Sequence, residues 1–212
     1  MQYPDRAVSS ETATIVLAGL RYAVQRDFGD LPKTIAPARV SMVAVDGDGH
    51  VHVLRRGPVP VVVFDADGRF LFGYGEGHIF DPHGITIDDR NRVFIVDRDA
   101  HQVLCFQTDG PFIFALGERH TPHWQKPFNH PTKVAVAADA DIYVADGYGN
   151  ARVHRFAGTG QLRSSFGTVG RSSGSFMTPH SILVDSLDRV LVCDRENDRV
   201  QVFDRAGEWL AS

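Results

Sequence analysis

Short apolar segments separated by polar turns run along most of the chain. Residues 93–96 (Val-Phe-Ile-Val) and 200–203 (Val-Gln-Val-Phe) are typical, since apolar residues fill consecutive or alternate positions. Turns containing glycine separate these segments, and Asp-Gly pairs suit tight hairpins because glycine accepts positive φ. No long window has the periodicity of a helix. The pattern therefore predicts an all-β fold.

The segments recur with a long period. Each copy has a phenylalanine before its first strand, an aspartate after its second strand and a glycine after its third. These markers are Phe80, Phe128 and Phe176; Asp97, Asp146 and Asp194; and Gly110, Gly160 and Gly207. Four short antiparallel strands in roughly 40 to 50 residues form one blade of a β-propeller. A two-sheet sandwich would not repeat all three markers at one period.

We therefore predict a β-propeller with four four-stranded blades in this chain, at about 40–79, 80–127, 128–175 and 176–212. Residues 1–39 form an N-terminal segment whose apolar stretches would supply outer strands of a blade closed from the other terminus. Propellers have about four to eight blades. Four blades would either close a ring or form the front part of a larger one.

Composition and charge narrow the functional classes. The 22 basic and 26 acidic residues give a net charge of −4 without a basic block, so neither nucleic acid nor an anionic membrane is an expected partner. The apolar stretch at 12–20 is too short to cross a bilayer, and no signal peptide precedes it. Two cysteines outside any CxxC motif favour a reducing, cytoplasmic location.

One position at the start of the first strand of each blade carries candidate chemistry. Aligned on the preceding proline, it holds Ser41, His83, Thr132 and His180. First strands line the central channel of a propeller, so the two histidines would meet near its axis. Imidazole is a common zinc ligand, but a catalytic zinc takes three protein ligands, and no third histidine occupies this position. Binding of both histidines to water or backbone is the alternative.

A second position follows the second strand of each blade. Arg56, Arg98 and Arg195 are equivalent there, and Tyr148 lies in the one blade with an extra residue at this point. A guanidinium at the channel mouth can bind a carboxylate through two hydrogen bonds. A tyrosine beside a metal cation can act as a base.

A structural role is the alternative for part of this second set. The arginines, together with Asn150 and Asn197, would then join adjacent blades by hydrogen bonds. We favour that interpretation for Arg98 and Arg199, because most side-chain hydrogen bonds are made to backbone or water. The remaining histidines share no position among the blades and are interpreted as surface or packing residues.

Several strings, in this order, resemble the peptidyl-α-hydroxyglycine α-amidating lyase family, which belongs to the NHL-repeat propellers. The resemblance covers about residues 40 to 205. The strings that carry it are residues 82–88 (Pro-His-Gly-Ile-Thr-Ile-Asp), 101–103, 131–136, 146–152 (Asp-Gly-Tyr-Gly-Asn-Ala-Arg), 179–184 (Pro-His-Ser-Ile-Leu-Val) and 194–201.

The resemblance implies a six-bladed propeller with zinc in its channel and a structural calcium. It also implies cleavage of a peptidyl-α-hydroxyglycine to a peptide amide and glyoxylate. By resemblance His83 and His180 match two of the three zinc histidines, Tyr148 matches the proposed base, Arg56 and Arg195 match arginines of the substrate site, and the backbone carbonyl of Ile85 matches a calcium ligand.

This chain departs from the family at its end. The third zinc histidine of the family lies in a Pro-His-Asp string of the last blade, which this chain does not contain. We therefore expect a C-terminally truncated member that lacks about 80 to 100 residues of a six-bladed ring.

Two other functions stay open at this point. A non-catalytic NHL-repeat propeller would bind a protein or a small ligand on one face. A lactonase on a calcium-bearing propeller ranks last, because it would need clustered acidic and amide side chains where the first strands carry Ser, His, Thr and His. The expected partner is a small-molecule or peptide substrate, and an open ring would self-associate to cover its apolar faces.

Overall fold

The computed structural model describes residues 13–25 and 28–212, and its regular secondary structure is almost entirely β-strand. Four antiparallel sheets of four strands each follow one another along the chain, and in each sheet consecutive strands are neighbours. The four sheets are β3 (Arg39–Val45), β4 (Val51–Arg56), β5 (Val61–Phe64) and β6 (Phe70–Tyr74); β7 (Pro82–Ile87), β8 (Arg92–Asp97), β9 (Gln102–Gln107) and β10 (Phe112–Gly117); β11 (Lys133–Val136), β12 (Ile142–Asp146), β13 (Arg152–Phe156) and β14 (Leu162–Phe166); and β15 (Pro179–Val184), β16 (Val190–Asp194), β17 (Arg199–Phe203) and β18 (Trp209–Ala211).

This succession of four-stranded meanders confirms the predicted β-propeller fold. A separate hairpin of β1 (Thr14–Leu17) and β2 (Leu20–Ala23) precedes the four blades. Its assignment to a closing blade, like the exact blade boundaries, stays a prediction. A 3-10 turn at Arg195–Asn197 lies between β16 and β17 of the last blade. Among the described residues no helix is long and apolar enough to cross a membrane.

The hydrophobic core lies between adjacent blades rather than within one sheet. Leu54 of the first blade packs with Ile95 of the second, and both are fully buried. Two further clusters join the second blade to the third and the third to the fourth, where Tyr143 packs with Phe203. Burying such side chains stabilises the fold by about 1.5–3 kcal/mol each, so each blade depends on its neighbours.

The recurring aspartates fix the start of each first strand. Asp97 accepts hydrogen bonds from the backbone N–H groups of Phe80 and Asp81, at 2.9 and 2.6 Å. Asp194 does the same for Met177, at 2.9 Å, and all the recurring aspartates are fully buried. These bonds tie the segment before the inner strand to the end of the second strand. They explain why an aspartate recurs at this position.

The recurring phenylalanines are not all equivalent. Phe128 and Phe176 are fully buried, each beside a glycine at or just after the end of the preceding strand, whereas 63% of the surface of Phe80 is exposed. Ile79 is buried instead and packs on Gly75. Ile79 lies three residues before its proline, as Phe128 and Phe176 do. The alignment on Phe80 was therefore wrong by one residue, while the alignment on proline places the inner-strand positions correctly.

Candidate active site

The position that carries the two histidines joins each blade to the next. Ser41 Oγ donates to the carbonyl of Pro82 at 2.9 Å, and Thr132 Oγ1 donates to that of Pro179 at 2.8 Å. His83 Nδ1 lies 2.8 Å from the carbonyl oxygen of Thr132, one residue further along the next blade. This position therefore links each of the first three blades to the next, and His83 uses only one of its two nitrogens for it.

The second nitrogen of His83 belongs to a compact group with Tyr148 and His180. The Tyr148 hydroxyl lies 3.2 Å from His83 Nε2 and 2.9 Å from His180 Nε2. The two imidazole centroids are 5.4 Å apart, and 40% of the tyrosine is exposed. Two ring nitrogens and a phenol oxygen thus meet at one point that solvent can reach.

Two glycines allow Tyr148 to reach this point. A Cβ atom on Gly147 would lie in the backbone of Pro179, and one on Gly149 would overlap the side chain of Asn129. The loop therefore lies directly against the start of the next blade, next to His180. This close approach explains the Gly-Tyr-Gly string around the tyrosine.

The surroundings of both histidines favour the neutral form of the imidazole. Burial lowers the pKa of His83, and the charges of Arg98 and Arg56 lower it further. The pKa of His180 is lowered by burial and by the charge of Arg195. Because Nδ1 of His83 faces a carbonyl oxygen, this nitrogen carries the proton and Nε2 keeps its lone pair toward Tyr148.

Arginines surround Tyr148 on two sides. The guanidinium carbons of Arg98 and Arg195 lie 5.6 and 5.4 Å from the centre of its ring. Arg195 is also hydrogen-bonded to Glu196 at 2.8 Å, and 46% of its side chain is exposed. Two cations over one ring make this side of the site attractive to an anion.

Arg56 lies on the His83 side of the site and is joined to Arg98 by Asp81. The two arginines approach the two carboxylate oxygens of Asp81 at 2.9 and 2.8 Å. Arg98 is thus both an ion-pair partner and a neighbour of Tyr148, which goes beyond the structural role favoured for it. Asp81 directly precedes the Pro-His string, and this position was the one sign in the sequence of its link to the two arginines.

Other residues of the second set do hold the blades together. Arg199 donates to the carbonyl oxygens of Ser172 and Ser175, at 2.9 and 2.8 Å. Asn150 and Asn197 bind backbone carbonyls of the loops between blades and also a recurring aspartate. The structural interpretation of these residues is confirmed.

Comparison with known proteins places the fold in a family. The NHL repeat family matches residues 81–106, 128–156 and 176–203. A peptidyl-α-hydroxyglycine α-amidating lyase of Drosophila melanogaster is 34% identical over 164 residues, which cover 70% of this chain. The human NHL repeat-containing protein 3 is 34% identical over 186 residues, covering 80% of the chain. The chain belongs to the NHL-repeat proteins related to peptidyl-α-hydroxyglycine α-amidating lyase.

The chain spans about half or less of these curated relatives, 53% of the human protein and 30% of the Drosophila protein. Among solved structures, a streptogramin B lyase is similar with a TM-score of 0.66 at 12% identity. That alignment covers 82% of this chain and 54% of the other. At this identity the likeness supports the propeller fold alone.

The zinc that this family implies fits the residues present. His83 and His180 direct neutral ring nitrogens to one point. The other nitrogen of His83 donates to a backbone carbonyl, as metal-bound histidines do. These two residues would supply two of the three imidazoles of the family's site.

The calcium implied at Ile85 does not fit. The carbonyl oxygen of Ile85 already accepts a hydrogen bond from Lys133 Nζ at 2.6 Å. An ammonium group at this distance occupies the carbonyl oxygen and would repel a second cation there. Within the described residues, the local contacts do not support the expected calcium ligand.

Proposed function

We propose that this chain carries the reactive centre of a zinc-dependent lyase. The substrate would be a peptidyl-α-hydroxyglycine or a similar carbinolamide, cleaved to an amide and glyoxylate. The observation that carries the proposal is the Tyr148 hydroxyl within hydrogen-bond distance of both His83 Nε2 and His180 Nε2. The relatives named as lyases of this type support it.

The reaction moves one proton and breaks one bond. The hydroxyl of the substrate loses its proton, its oxygen forms the aldehyde of glyoxylate, and the C–N electron pair stays on the amide nitrogen. That nitrogen takes up a proton, so no oxidant or reductant is consumed. Zinc held by His83 and His180 would supply a Lewis acid that lowers the pKa of the substrate hydroxyl.

In this proposal Tyr148 acts as a phenolate that accepts the hydroxyl proton and then returns it to the leaving amide nitrogen. Its oxygen lies between the two histidines and is exposed to incoming substrate. Neutral imidazoles on both sides keep their lone pairs available for binding or orientation. General-base catalysis by a positioned side chain contributes about 10²–10⁴-fold to rate.

An arginine binds the substrate carboxylate that leaves as glyoxylate. Arg195 suits this role best, because it lies over Tyr148 and 46% of its side chain is exposed. The ion-pair partner of Arg195, Glu196, is itself exposed, whereas Arg56 is paired with the largely buried carboxylate of Asp81, so Arg56 acts mainly by holding positive charge beside His83. A bidentate guanidinium–carboxylate contact would fix the substrate with its hydroxyl toward Tyr148.

Glyoxylate release tests the proposal. The full-length protein is incubated with a peptide ending in α-hydroxyglycine, and glyoxylate and bound zinc are both measured. Tyr148→Phe should lower kcat by about 100-fold or more with zinc retained, since the aromatic ring stays and only the hydroxyl is lost. Tyr22→Phe, an exposed tyrosine of β2, is the matched control and should leave kcat unchanged.

Removal of both histidines separates the metal role from the proton role. The double variant His83→Ala and His180→Ala should lose zinc and activity together. His120→Ala, at an exposed loop position, controls for the loss of an imidazole. Glyoxylate release that persists in the double variant would eliminate the zinc role of these residues.

A further inference from the structure

Lys133 introduces a positive charge among the inner strands. It stands on β11, one position after the residue that joins this blade to the next. Its ammonium group donates to the carbonyl oxygen of Ile85 on β7 at 2.6 Å and lies 2.9 Å from the sulfur of Met42 on β3. One side chain therefore connects the inner strands of three blades.

The neighbouring residues leave a path for this side chain. Four residues occupy the position of Lys133 in the four blades, namely Met42, Gly84, Lys133 and Ser181. A Cβ atom on Gly84 would lie 3.1 Å from the Thr132 carbonyl oxygen and 3.4 Å from Lys133 Cδ, so the lysine stem runs directly past this glycine. Lys133 is the single charged residue of this set.

The two groups that contact the ammonium, a carbonyl oxygen and a thioether sulfur, suit a lysine side chain better than a divalent metal ion. An ammonium group has three donors and is satisfied by neutral oxygen or sulfur acceptors. A calcium ion takes six to eight oxygen ligands, and the Ile85 carbonyl oxygen is already bound to the ammonium group. Two cations would also repel each other strongly if they shared the carbonyl of Ile85.

We propose that the Lys133 ammonium is the built-in cation of the inner strands, so that this protein binds no calcium at the Ile85 carbonyl. The inner strands β3, β7 and β11 are then joined by a lysine side chain of the protein itself instead of an exchangeable metal ion. This inference does not depend on the lyase reaction, and its test needs no substrate.

Lysine labelling tests the proposal directly, because the chain has only three lysines. Lys33 and Lys126 are exposed and serve as internal references for Lys133. The full-length protein is treated briefly with an acetylating ester, in EGTA and in millimolar calcium, and each lysine is quantified by peptide mass spectrometry. Lys133 should react about tenfold or more slowly than the references, at the same rate in both conditions.

Two labelling results would overturn the proposal. Calcium that accelerates the acetylation of Lys133 would show that the ion displaces the ammonium group from Ile85. Acetylation of Lys133 as fast as Lys126 in EGTA would show that its ammonium group is not held among the inner strands.

Thermal unfolding gives a second measurement. Asp46, Asp48 and His50 form the one cluster of potential ligands found in the described residues, so Asp48→Asn is used to remove it. The Asp48→Asn variant should have the same Tm in EGTA and in calcium. A calcium-induced rise in Tm that persists in this variant contradicts the proposal.

Discussion

Asp146 gives the sharpest test of how the recurring aspartates build the site. It is fully buried at the end of β12, two residues before Tyr148. Its carboxylate accepts from the backbone N–H of Asn129 at 3.0 Å and from Asn150 Nδ2 at 2.7 Å, and it lies 3.2 Å from His154 Nε2. Replacement by alanine would remove one acceptor from each of these three groups, and Asn150 alone would keep its bonds to backbone carbonyls.

The magnitude follows from these contacts. A hydrogen bond to a charged group is worth about 1.5–3 kcal/mol, but removing the carboxylate also removes the cost of burying it. The net loss for Asp146→Ala should therefore be about 3–5 kcal/mol. At about 2–4 °C per kcal/mol for a chain of this size, Tm should fall by about 6–20 °C.

Thermal unfolding followed by circular dichroism measures this loss. Asp146→Asn keeps the shape and one carbonyl oxygen, so its Tm should lie between those of the wild type and Asp146→Ala. Asp89→Asn, an exposed aspartate after the first strand of another blade, should change Tm by less than about 2 °C. If Asp146→Ala destabilises the protein no more than Asp89→Asn does, the anchoring role assigned to the recurring aspartates is wrong.

Three further outcomes follow from the packing. Burial lowers the pKa of Lys133 to about 8 from 10.5, so between these pH values the folded state binds fewer protons than the unfolded state. The free energy of unfolding of the wild type, measured relative to Lys133→Met in urea titrations, should therefore rise from pH 8 to 10.5. A difference that does not change with pH would contradict the burial of Lys133. Cys193 is exposed, whereas burial raises the pKa of Cys105 to about 12, so a thiol reagent should label one cysteine in the folded protein and two in denaturant. Gly147→Ala should cost about 1–3 kcal/mol or more and lower activity, because its Cβ would overlap the Pro179 carbonyl; unchanged kcat and Tm would contradict this.

The period of the sequence was sufficient to predict the four blades. Aspartate, glycine and apolar strands recur at a regular spacing because each blade has the same local geometry and needs the same residues at the same places. Alignment on proline also identified the inner-strand position of His83 and His180, because equivalent positions of a repeat occupy equivalent places. The zinc and the reaction remain proposals, since the resemblance alone implies them.

Only the tertiary structure decided which of these residues meet. The distance from Tyr148 to the two histidines depends on how three blades rotate about their common axis, and no spacing along the chain encodes that rotation. For the same reason the link from Asp81 to Arg56 and Arg98, across two blades, was not predicted. The ammonium of Lys133 at the Ile85 carbonyl is the clearest case, because a lysine in a repeat looks like a surface residue until the neighbouring blade shows what its charge contacts.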